Sequence, residues 1–583
     1  MKNFNSKVII SLVVVTLILS SCASISKMKK DAPLIKWDVT PQVLETHAGQ
    51  VKVAIEGQIP QKYFAKKATL VVTPVVKYDG GEVAYPEIKL QGEKVTANNA
   101  VIAYKEGGNF SIKGAIPYEA AMKMSQLQIK CIASQGIKSL DFDPIKIADG
   151  VIATSELVSK AGEPIIGIQR EKNTTGKYNP EIDPFQRIVP DELSADIHYL
   201  INNADIRKEE ANSQAITDFK SYANDAIAND RKKLKSLEIS AYASPDGPEN
   251  FNDKLSQKRE ASATKYLDKD LKDKDLKADV KSKYTAEDWD GFKKLMEGSS
   301  IQDKELILRV LSMYNDPEVR EKEIRNLSEA FTSVADQILP KLRRANFLAS
   351  VDLIGKTDQE LLDMANSQPE KLNQAELLQA AVLTNDNAKK IQFYKSFIKQ
   401  FDNDWRGYNN LGMVQVWEGD MESAASNFEK ADKLSPGNPI IQNNLGVIAL
   451  ANGKTEKAKE YFSAASGVGT EVDYNMGIVS ILRAEYDKAV KYFGDSTEPN
   501  AALAKILAGD NNGALKTLEA NQSGATIVEY LKAVVGARTG KENLLLESLG
   551  KACDKDSNLK QAAKTDLEFA KYFDNPKFKA IVD

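Results

Sequence analysis

The chain has 583 residues, of which 42% are hydrophobic and 27% are charged. This length predicts about three to five domains, and the balance excludes a wholly disordered or collagen-like chain. The net charge of −4 includes no basic excess, which argues against a nucleic-acid-binding protein. With only 2 His and 3 Cys in the chain, the composition also argues against a zinc site or a histidine-based catalytic site. We therefore expect no metal and no cofactor.

The N-terminus places Lys2 and Lys7 before an apolar run from Val8 to Leu19, which is the pattern of a secretory signal peptide. The run is shorter than the roughly 20 residues of a membrane span. Leu19-Ser20-Ser21-Cys22 at its end resembles the bacterial lipobox. The resemblance implies that residues 1–21 are removed and that Cys22 is acylated, palmitate being one such chain. The alternative is a plain signal peptide with an unrelated cysteine.

Residues 22–33 are predicted to be a lipidated tether. No Asp follows Cys22, and Lys27, Lys29 and Lys30 stand where surface-displayed lipoproteins carry acidic residues. By analogy with Bacteroides-group lipoproteins, this implies a lipid-anchored protein on the periplasmic face of the outer membrane. The other two thiols, Cys131 and Cys553, fall in different predicted domains, so we expect both to be unpaired and buried.

Residues 34–150 alternate apolar and polar side chains at period two, for example in Gln50–Glu56, Asn109–Lys113 and Gln126–Ile132. Such strands with one polar face predict an antiparallel β-sandwich, and their spacing favours an immunoglobulin-like one. Residues 151–190 are polar and without a period, so they are predicted to form an extended connector. We expect structural roles for His47 and His198, since neither has a second ligand or a catalytic partner nearby in sequence.

Residues 191–355 alternate strand-like and helical segments, which predicts helices packed on one sheet. The strands are predicted at Ala195–Ile201, Leu237–Ala243 and Arg343–Val351. A helical insertion is expected at about 285–340, where apolar residues recur at helical spacing.

Asn252, Leu255, Ser256 and Arg259 form an Asn-x-x-Leu-Ser-x-x-Arg motif that opens a helix after a strand and a loop. This motif resembles that of the OmpA-like peptidoglycan-binding domain. The resemblance implies an Asp that faces the ammonium group of diaminopimelate and an Arg that binds its carboxylate.

Arg259 matches the family's Arg, whereas Ser244 stands at the position of the Asp. Asp246, two residues later, is a partial substitute. The candidate peptidoglycan-binding residues are therefore Arg259, Asp246, Ser244 and Asn252. The alternative is that Arg259 only fixes the preceding loop.

Residues 358–583 carry an internal repeat: residues 409–431 and 443–465 match at a shift of 34. A period of 34 with an early Leu-Gly, then Ala, Phe and Ala, resembles the tetratricopeptide repeat. Small Gly and Ala let paired helices approach closely, and Phe fills the gap between them. The signature residues are Leu411, Gly412, Ala424, Phe428 and Ala431; Leu445, Gly446, Ala458, Phe462 and Ala465; and Gly477, Ala489 and Phe493. The pairs Asn409/Asn443 and Asn410/Asn444 are also identical.

Together these features predict a multidomain, non-catalytic lipoprotein that acts as a protein–protein interaction scaffold in the cell envelope. A protein or peptide partner is expected on the repeats, which form binding surfaces in such arrays. One alternative is a peptidoglycan-binding anchor between the outer membrane and the cell wall. A less favoured one is a component of a secretion or surface-assembly machine. An enzyme that uses two carboxylates is not favoured, because no sequence motif singles out a pair among the 82 acidic residues.

Overall fold

The computed structural model of the chain describes residues 24–164, 185–274 and 277–583. The chain forms two compact units, one of residues 1–182 with 401–583 and the other of residues 183–400. The predicted signal peptide and the lipobox with Cys22 lie outside the described residues. The predicted connector, 151–190, is described only at its two ends.

The N-terminal part of the first unit is built from β-strands. Their bounds are β1 (Lys36–Thr40), β2 (Val43–His47), β3 (Gln50–Ile59), β4 (Thr69–Tyr78), β5 (Gly81–Ala84), β6 (Ile88–Gly92), β7 (Ala100–Ile102), β8 (Gly108–Pro117), β9 (Ser125–Gln135), β10 (Lys138–Asp141) and β11 (Ile145–Ile152). The main path of the sheet runs β1-β3-β2-β11-β9-β4-β6-β7. Alternate side chains of β3, β4 and β9 are buried in one shared core, as the period-two pattern predicts.

Strand β2 makes the sheet curl, because it is shared between two sets of strands. Thr46 and His47 pair antiparallel with β3, whereas residues 43–45 pair parallel with β11. Strands β6 and β7 are also parallel. The prediction of an entirely antiparallel sandwich is therefore wrong at these two pairs. The immunoglobulin-like class stays a prediction.

Residues 24–30 form a helix, α1, that packs onto this sheet. The side chains of Ile25 and Met28 are buried in the core of the strands, and the Tyr63 hydroxyl donates to the Met28 carbonyl at 2.9 Å. The tether predicted for residues 22–33 is therefore wrong from Ser24 onward, because two apolar side chains anchor this segment to the sheet.

The second unit contains a four-stranded sheet covered by helices. Its elements are β12 (Ile188–His198), α2 (Lys208–Ala211), α3 (Gln214–Ala228), β13 (Lys232–Tyr242), α4 (Glu249–Asp273), β14 (Val280–Thr285) and β15 (Arg344–Ile354). The strand order is β12-β15-β13-β14, and only β13 and β14 are parallel. Sequence analysis missed β14, since most of its side chains are exposed and polar and give no hydrophobic pattern.

The predicted insertion between β14 and β15 is helical and has a core of its own. Its helices are α5 (Trp289–Glu297), α6 (Lys304–Met313), α7 (Pro317–Asn326), α8 (Ser328–Gln337) and α9 (Leu339–Leu342). Helices α7 and α8 are separate, because the backbone leaves the helical region at Leu327, with ψ near 61°.

The rest of the chain is helical. The helices are α10 (Asp358–Ser367), α11 (Gln374–Val382), α12 (Asn387–Gln400), α13 (Trp405–Trp417), α14 (Met421–Leu434), α15 (Pro439–Ala451), α16 (Thr455–Ala464), α17 (Thr470–Leu482), α18 (Tyr486–Phe493), α19 (Pro499–Leu507), α20 (Asn511–Ala520), α21 (Thr526–Arg538), α22 (Glu542–Lys555), α23 (Asn558–Lys564) and α24 (Pro576–Val582). From α13 to α22 neighbouring helices pack in five pairs. Gly419 and Gly453, which are 34 residues apart, both adopt positive φ at the turn inside a pair.

Helices α10 to α12 belong to the second unit, so the predicted repeat domain of residues 358–583 spans the boundary between the units. Polar contacts tie α10 and α11 to the α/β sheet. Arg231 donates to Glu360 at 2.5 Å and to the Gly355 carbonyl at 2.8 Å, and Lys356 pairs with Glu376 at 2.7 Å. The repeat pattern alone contains no information about these contacts.

Candidate functional site: an asparagine groove

The repeat signature residues form the contacts inside each helix pair. Cβ atoms built on Gly412, Gly446 and Gly477 would stand 2.5–2.7 Å from the rings of Phe428, Phe462 and Phe493, respectively. A side chain at these glycines would therefore overlap the ring. The alanines and phenylalanines of the signature are all buried: Ala424, Phe428, Ala431, Ala458, Phe462, Ala465, Ala489 and Phe493. Leu411 is also buried, and Leu445 packs at the edge of the same core.

The first helices of successive pairs carry buried asparagines. Asn443 on α15 and Asn475 on α17 are fully buried, and Asn500 on α19 is 2% exposed. A buried amide that lacks partners destabilises a fold by about 1–3 kcal/mol, so such side chains need hydrogen-bond partners. Their partners come from a segment 280 to 341 residues earlier in the chain.

Residues 158–164 lie against these asparagines; they belong to no helix or sheet, and the backbone is extended at Val158. Asn500 accepts from the Ser159 N–H at 3.0 Å and donates to the Ser159 carbonyl at 2.9 Å. Asn475 accepts from the Glu163 N–H at 2.7 Å and donates to the Glu163 carbonyl at 2.9 Å. Asn443 donates to that same carbonyl at 2.9 Å. We call Asn443, Asn475 and Asn500 the asparagine groove and Val158–Pro164 the internal strand.

The internal strand is held mainly by its backbone and by one apolar side chain. Val158 is buried in the core of the repeats, whereas Ser159, Lys160, Ala161 and Glu163 are exposed. At Gly162 the strand approaches the groove closely: a Cβ there would stand 3.0 Å from Asn475 Oδ1 and 3.1 Å from Val447 Cγ2. The groove therefore takes an extended main chain with a small residue at this point.

The asparagines continue as a hydrogen-bonded network toward α13. Asn475 donates to Asn443 Oδ1 at 2.9 Å, Asn443 to Asn444 at 3.1 Å, Asn444 to Asn409 at 2.9 Å, and Asn409 to Asn410 at 3.1 Å. Each amide orients the next, which fixes the rotamers that face the internal strand.

A cavity of about 520 Å³ adjoins the groove at Glu163. Tyr474, Tyr492 and Phe493 line it together with Asp473, Glu498 and Lys491. Desolvation raises the pKa of Glu163, and the negative charges of Glu471 and Glu498 raise it further.

Further contacts hold the strands of the first unit on the repeats. His47 Nδ1 lies 2.6 Å from the Tyr486 hydroxyl, and His47 Nε2 lies 3.1 Å from a Glu45 oxygen. Glu568 accepts from Thr154 and from Arg538, whose Nε is 2.9 Å away. The two halves of this unit are thus joined by polar contacts besides the internal strand.

In the second unit, Arg259 is fully buried and faces protein carbonyls. Its Nε donates to Asn203 at 3.0 Å, its Nη1 to Tyr242 at 2.9 Å and its Nη2 to Leu200 at 3.2 Å. Burial lowers the pKa of the guanidinium to about 10. Arg259 thus links α4 to the 200–203 segment and to the end of β13.

The other peptidoglycan candidates meet in one loop. Ser244 donates to Asp246 at 2.7 Å, and Asp246 accepts from Arg343 at 2.8 Å. Asn252 donates to the Gly247 carbonyl at 2.9 Å and to Glu287 at 3.1 Å. The charge of Asp246 is balanced by Arg343, so an incoming ammonium group would have to compete with that guanidinium. Burial raises the pKa of Glu287, a second carboxylate that sequence analysis did not single out.

Cys131 and Cys553 are buried and unpaired within the described part of the chain, and burial raises the pKa of Cys131 to about 12. Across residues 24–164, 185–274 and 277–583, no helix is long and apolar enough to span a bilayer. Over those same ranges, no three His, Cys, Asp or Glu side chains are grouped so that they could hold a metal ion.

Sequence analysis missed the asparagine groove. Asn409 and Asn443 were noted only as identities within the repeat, and the internal strand was assigned to a connector without a role. The available signal was the asparagine that recurs at positions 409 and 443, a shift of 34, and again at 475, a shift of 32. Its partner could not be inferred, because a strand bound through its backbone needs no particular side chains.

Comparison with known proteins gives a family for part of the chain. Residues 406–438 and 441–467 match the model of the tetratricopeptide repeat. No curated protein matches the chain in sequence.

Three similar solved structures are YrrB, described as a tetratricopeptide protein with an unusual peptide-binding site, a tetratricopeptide protein from Parabacteroides merdae, and pilF of Pseudomonas aeruginosa. YrrB is 21% identical, and its match covers 29% of this chain and 97% of YrrB. The Parabacteroides merdae protein is 13% identical, with 36% of this chain and 91% of that protein covered. For pilF the identity is 16%, with 37% of this chain and 98% of pilF covered. The TM-scores of 0.24, 0.28 and 0.26 are too low to support an inference about fold or ligand. The C-terminal helical region of this chain contains tetratricopeptide repeats.

Proposed function

We propose that this protein is a non-catalytic interaction scaffold of the bacterial cell envelope, and that its repeats bind an extended segment of a partner protein. The observation that supports this most directly is the asparagine groove, whose amides pair with a main chain that lies across the repeats. Tetratricopeptide arrays present such surfaces to partner proteins.

The scaffold function is tested with the full-length protein by crosslinking in cells followed by affinity capture. We compare the wild type with the double variant Asn443→Ala, Asn475→Ala and with Asn427→Ala, a matched control on the outer helix α14. We expect one envelope protein to be enriched with the wild type and the control and lost with the double variant. Recovery of no envelope protein above background, or equal capture by the double variant, would contradict the proposal.

The proposed location is the periplasmic face of the outer membrane, anchored by lipid on Cys22. The basis is the signal-peptide pattern and the resemblance of residues 19–22 to the lipobox. Metabolic labelling with a clickable palmitate analogue checks this. Label should be incorporated by the wild type and Cys553→Ala and absent from Cys22→Ala; equal labelling of Cys22→Ala would rule the anchor out.

A second candidate function, binding to peptidoglycan, rests on the α/β unit. The strand order β12-β15-β13-β14, together with the clustering of Ser244, Asp246 and Asn252 where α4 begins, supports an OmpA-like domain. The contacts of Asp246 with Arg343 and of Arg259 with carbonyls count against strong binding.

Cosedimentation with purified peptidoglycan tests whether this unit binds the cell wall. If the loop binds, Asp246→Asn should reduce cosedimentation while Asp253→Asn, an exposed change on the same helix, leaves it intact. No cosedimentation of the wild-type protein would eliminate the anchor function.

A further inference from the structure

The internal strand occupies the surface on which the proposed function places a partner. We propose that Val158–Pro164 is a displaceable internal ligand, and that the partner of this protein is an extended polypeptide segment that replaces it on Asn443, Asn475 and Asn500. This inference rests on the proposed function and specifies both the kind of partner and how access to the groove is regulated.

The first support is that every hydrogen bond between the groove and the strand goes to the main chain. Five bonds link the three asparagines to the N–H and carbonyl groups of Ser159 and Glu163. Any extended segment presents the same groups at the same spacing, so the polar contacts can pass from the internal strand to a partner without loss.

The second support is that few side chains of the internal strand are buried against the repeats. Ser159, Lys160, Ala161 and Glu163 are exposed, and only Val158 enters the core of the repeats. The cavity of about 520 Å³ is lined by Tyr474, Tyr492 and Phe493, and among the residues of the internal strand Glu163 alone lines it. A partner that places an apolar side chain there gains burial that the internal strand does not have.

The third support is that the strand is tethered, which allows weak contacts to keep it bound. Just before it, Ser155 donates to the Thr46 carbonyl at 2.7 Å, so the strand begins from a fixed point. Because the strand is tethered, its effective concentration at the groove is high. A partner in solution therefore has to bind the groove more tightly than the strand does in order to replace it. The groove is therefore closed to weak ligands and open to a segment that binds better.

The partner must also carry a small residue opposite Asn475. A Cβ on Gly162 would lie 3.0 Å from Asn475 Oδ1, 3.1 Å from Val447 and 3.4 Å from Leu450, which is tighter than ordinary side-chain packing. A large side chain at position 162 should thus expel the internal strand while leaving the groove intact. Ala161, its exposed neighbour, provides the matched control for such a change.

The test uses full-length protein and a fluorescent synthetic peptide with the sequence of residues 157–165. Binding is measured by anisotropy for the wild type, Gly162→Leu and Ala161→Leu. We expect Gly162→Leu to bind the peptide at least ten-fold more tightly than the wild type, and Ala161→Leu to behave as the wild type. Adding Asn475→Ala to Gly162→Leu should abolish the gain. Equal affinity for all three proteins would overturn the proposal.

A second measurement avoids the risk that Gly162→Leu fails to fold. Excess peptide is added to the wild-type protein, and hydrogen exchange is followed at the chain's own Ser159 and Glu163 amides. Exchange should accelerate as the peptide saturates; unchanged protection at millimolar peptide would overturn strand replacement. In the capture experiment, Gly162→Leu should enrich the partner more than the wild type does. Equal capture by both would leave the scaffold function standing and overturn the internal-ligand proposal.

Discussion

Asn475 and Glu163 are 312 residues apart and are joined by two hydrogen bonds, one in each direction. The amide oxygen of Asn475 accepts from the Glu163 N–H, and its nitrogen donates to the Glu163 carbonyl. Asn500 pairs with Ser159 in the same way. Each asparagine thus imitates one residue of a neighbouring antiparallel strand, which also pairs with both groups of a single residue.

This pair can be broken with the smallest possible change. Asn475→Asp keeps the shape and the acceptor but removes the donor to the Glu163 carbonyl and to Asn443. Losing hydrogen bonds of this kind costs about 1–2 kcal/mol, so exchange of the Glu163 amide should accelerate roughly five- to thirty-fold. Exchange mass spectrometry on the full chain measures it. Asn427→Asp, which loses its donor to Gln415 outside the groove, should leave Glu163 protected; an equal effect of both changes would contradict the assignment.

The helix pairs should be sensitive to substitution of the glycines that contact the phenylalanine rings. Gly446→Val would place methyl groups inside the ring of Phe462 and should destabilise the repeats by about 1–3 kcal/mol. Gly550 on α22 has open space around it, so Gly550→Ala should stabilise by roughly 0.5–1 kcal/mol through helix propensity. Thermal unfolding followed by circular dichroism compares them. The same sign for both changes would contradict the packing described above.

Arg259 should be a structural residue of the α/β unit. Arg259→Ala removes three hydrogen bonds to inward-facing carbonyls and opens a large cavity, with an expected cost of about 3–5 kcal/mol. Exchange at residues 200–203 and 242 should rise strongly, while Lys258→Ala, on the exposed face of α4, should change little. An unaltered exchange pattern in Arg259→Ala would show that the guanidinium is dispensable for the fold.

The docking of the internal strand should weaken as the pH rises. Desolvation raises the pKa of Glu163, with Glu471 and Glu498 adding to it, so the docked strand favours the protonated carboxyl. Burial also raises the pKa of Asp473, which lines the same cavity together with Lys491. Docking is therefore fully favourable below the ordinary carboxyl pKa and loses strength as the pH passes through the raised value. Protection of the Glu163 amide, corrected for intrinsic exchange, should fall as the pH rises above 4.5, the ordinary pKa of a glutamate. It should vary less in Glu163→Gln; an equal dependence in both would contradict the role of Glu163.

The repeat helices could be predicted because their signature residues pack locally, within one helix pair. Phe462 and Gly446 are in contact and only 16 positions apart, so the pattern and the contact coincide. The curled sheet was predicted less well, because β2 changes partners through pairings that depend on distant strands. The internal strand escaped prediction because its backbone, and not its side chains, makes the contacts. Asn475 was visible in the sequence, but its partner was not.

The internal strand is synthesised long before the asparagines that bind it. The internal strand leaves the ribosome 280 residues before Asn443 and 341 residues before Asn500. At about 5–20 residues per second, the strand therefore waits roughly 15–60 s for its asparagines, while the whole second unit is made in between. The first of these bonds can close only after Asn443 has been made, and the last only after Asn500. Any fragment that ends before α15, or that begins after residue 164, lacks one side of all of them.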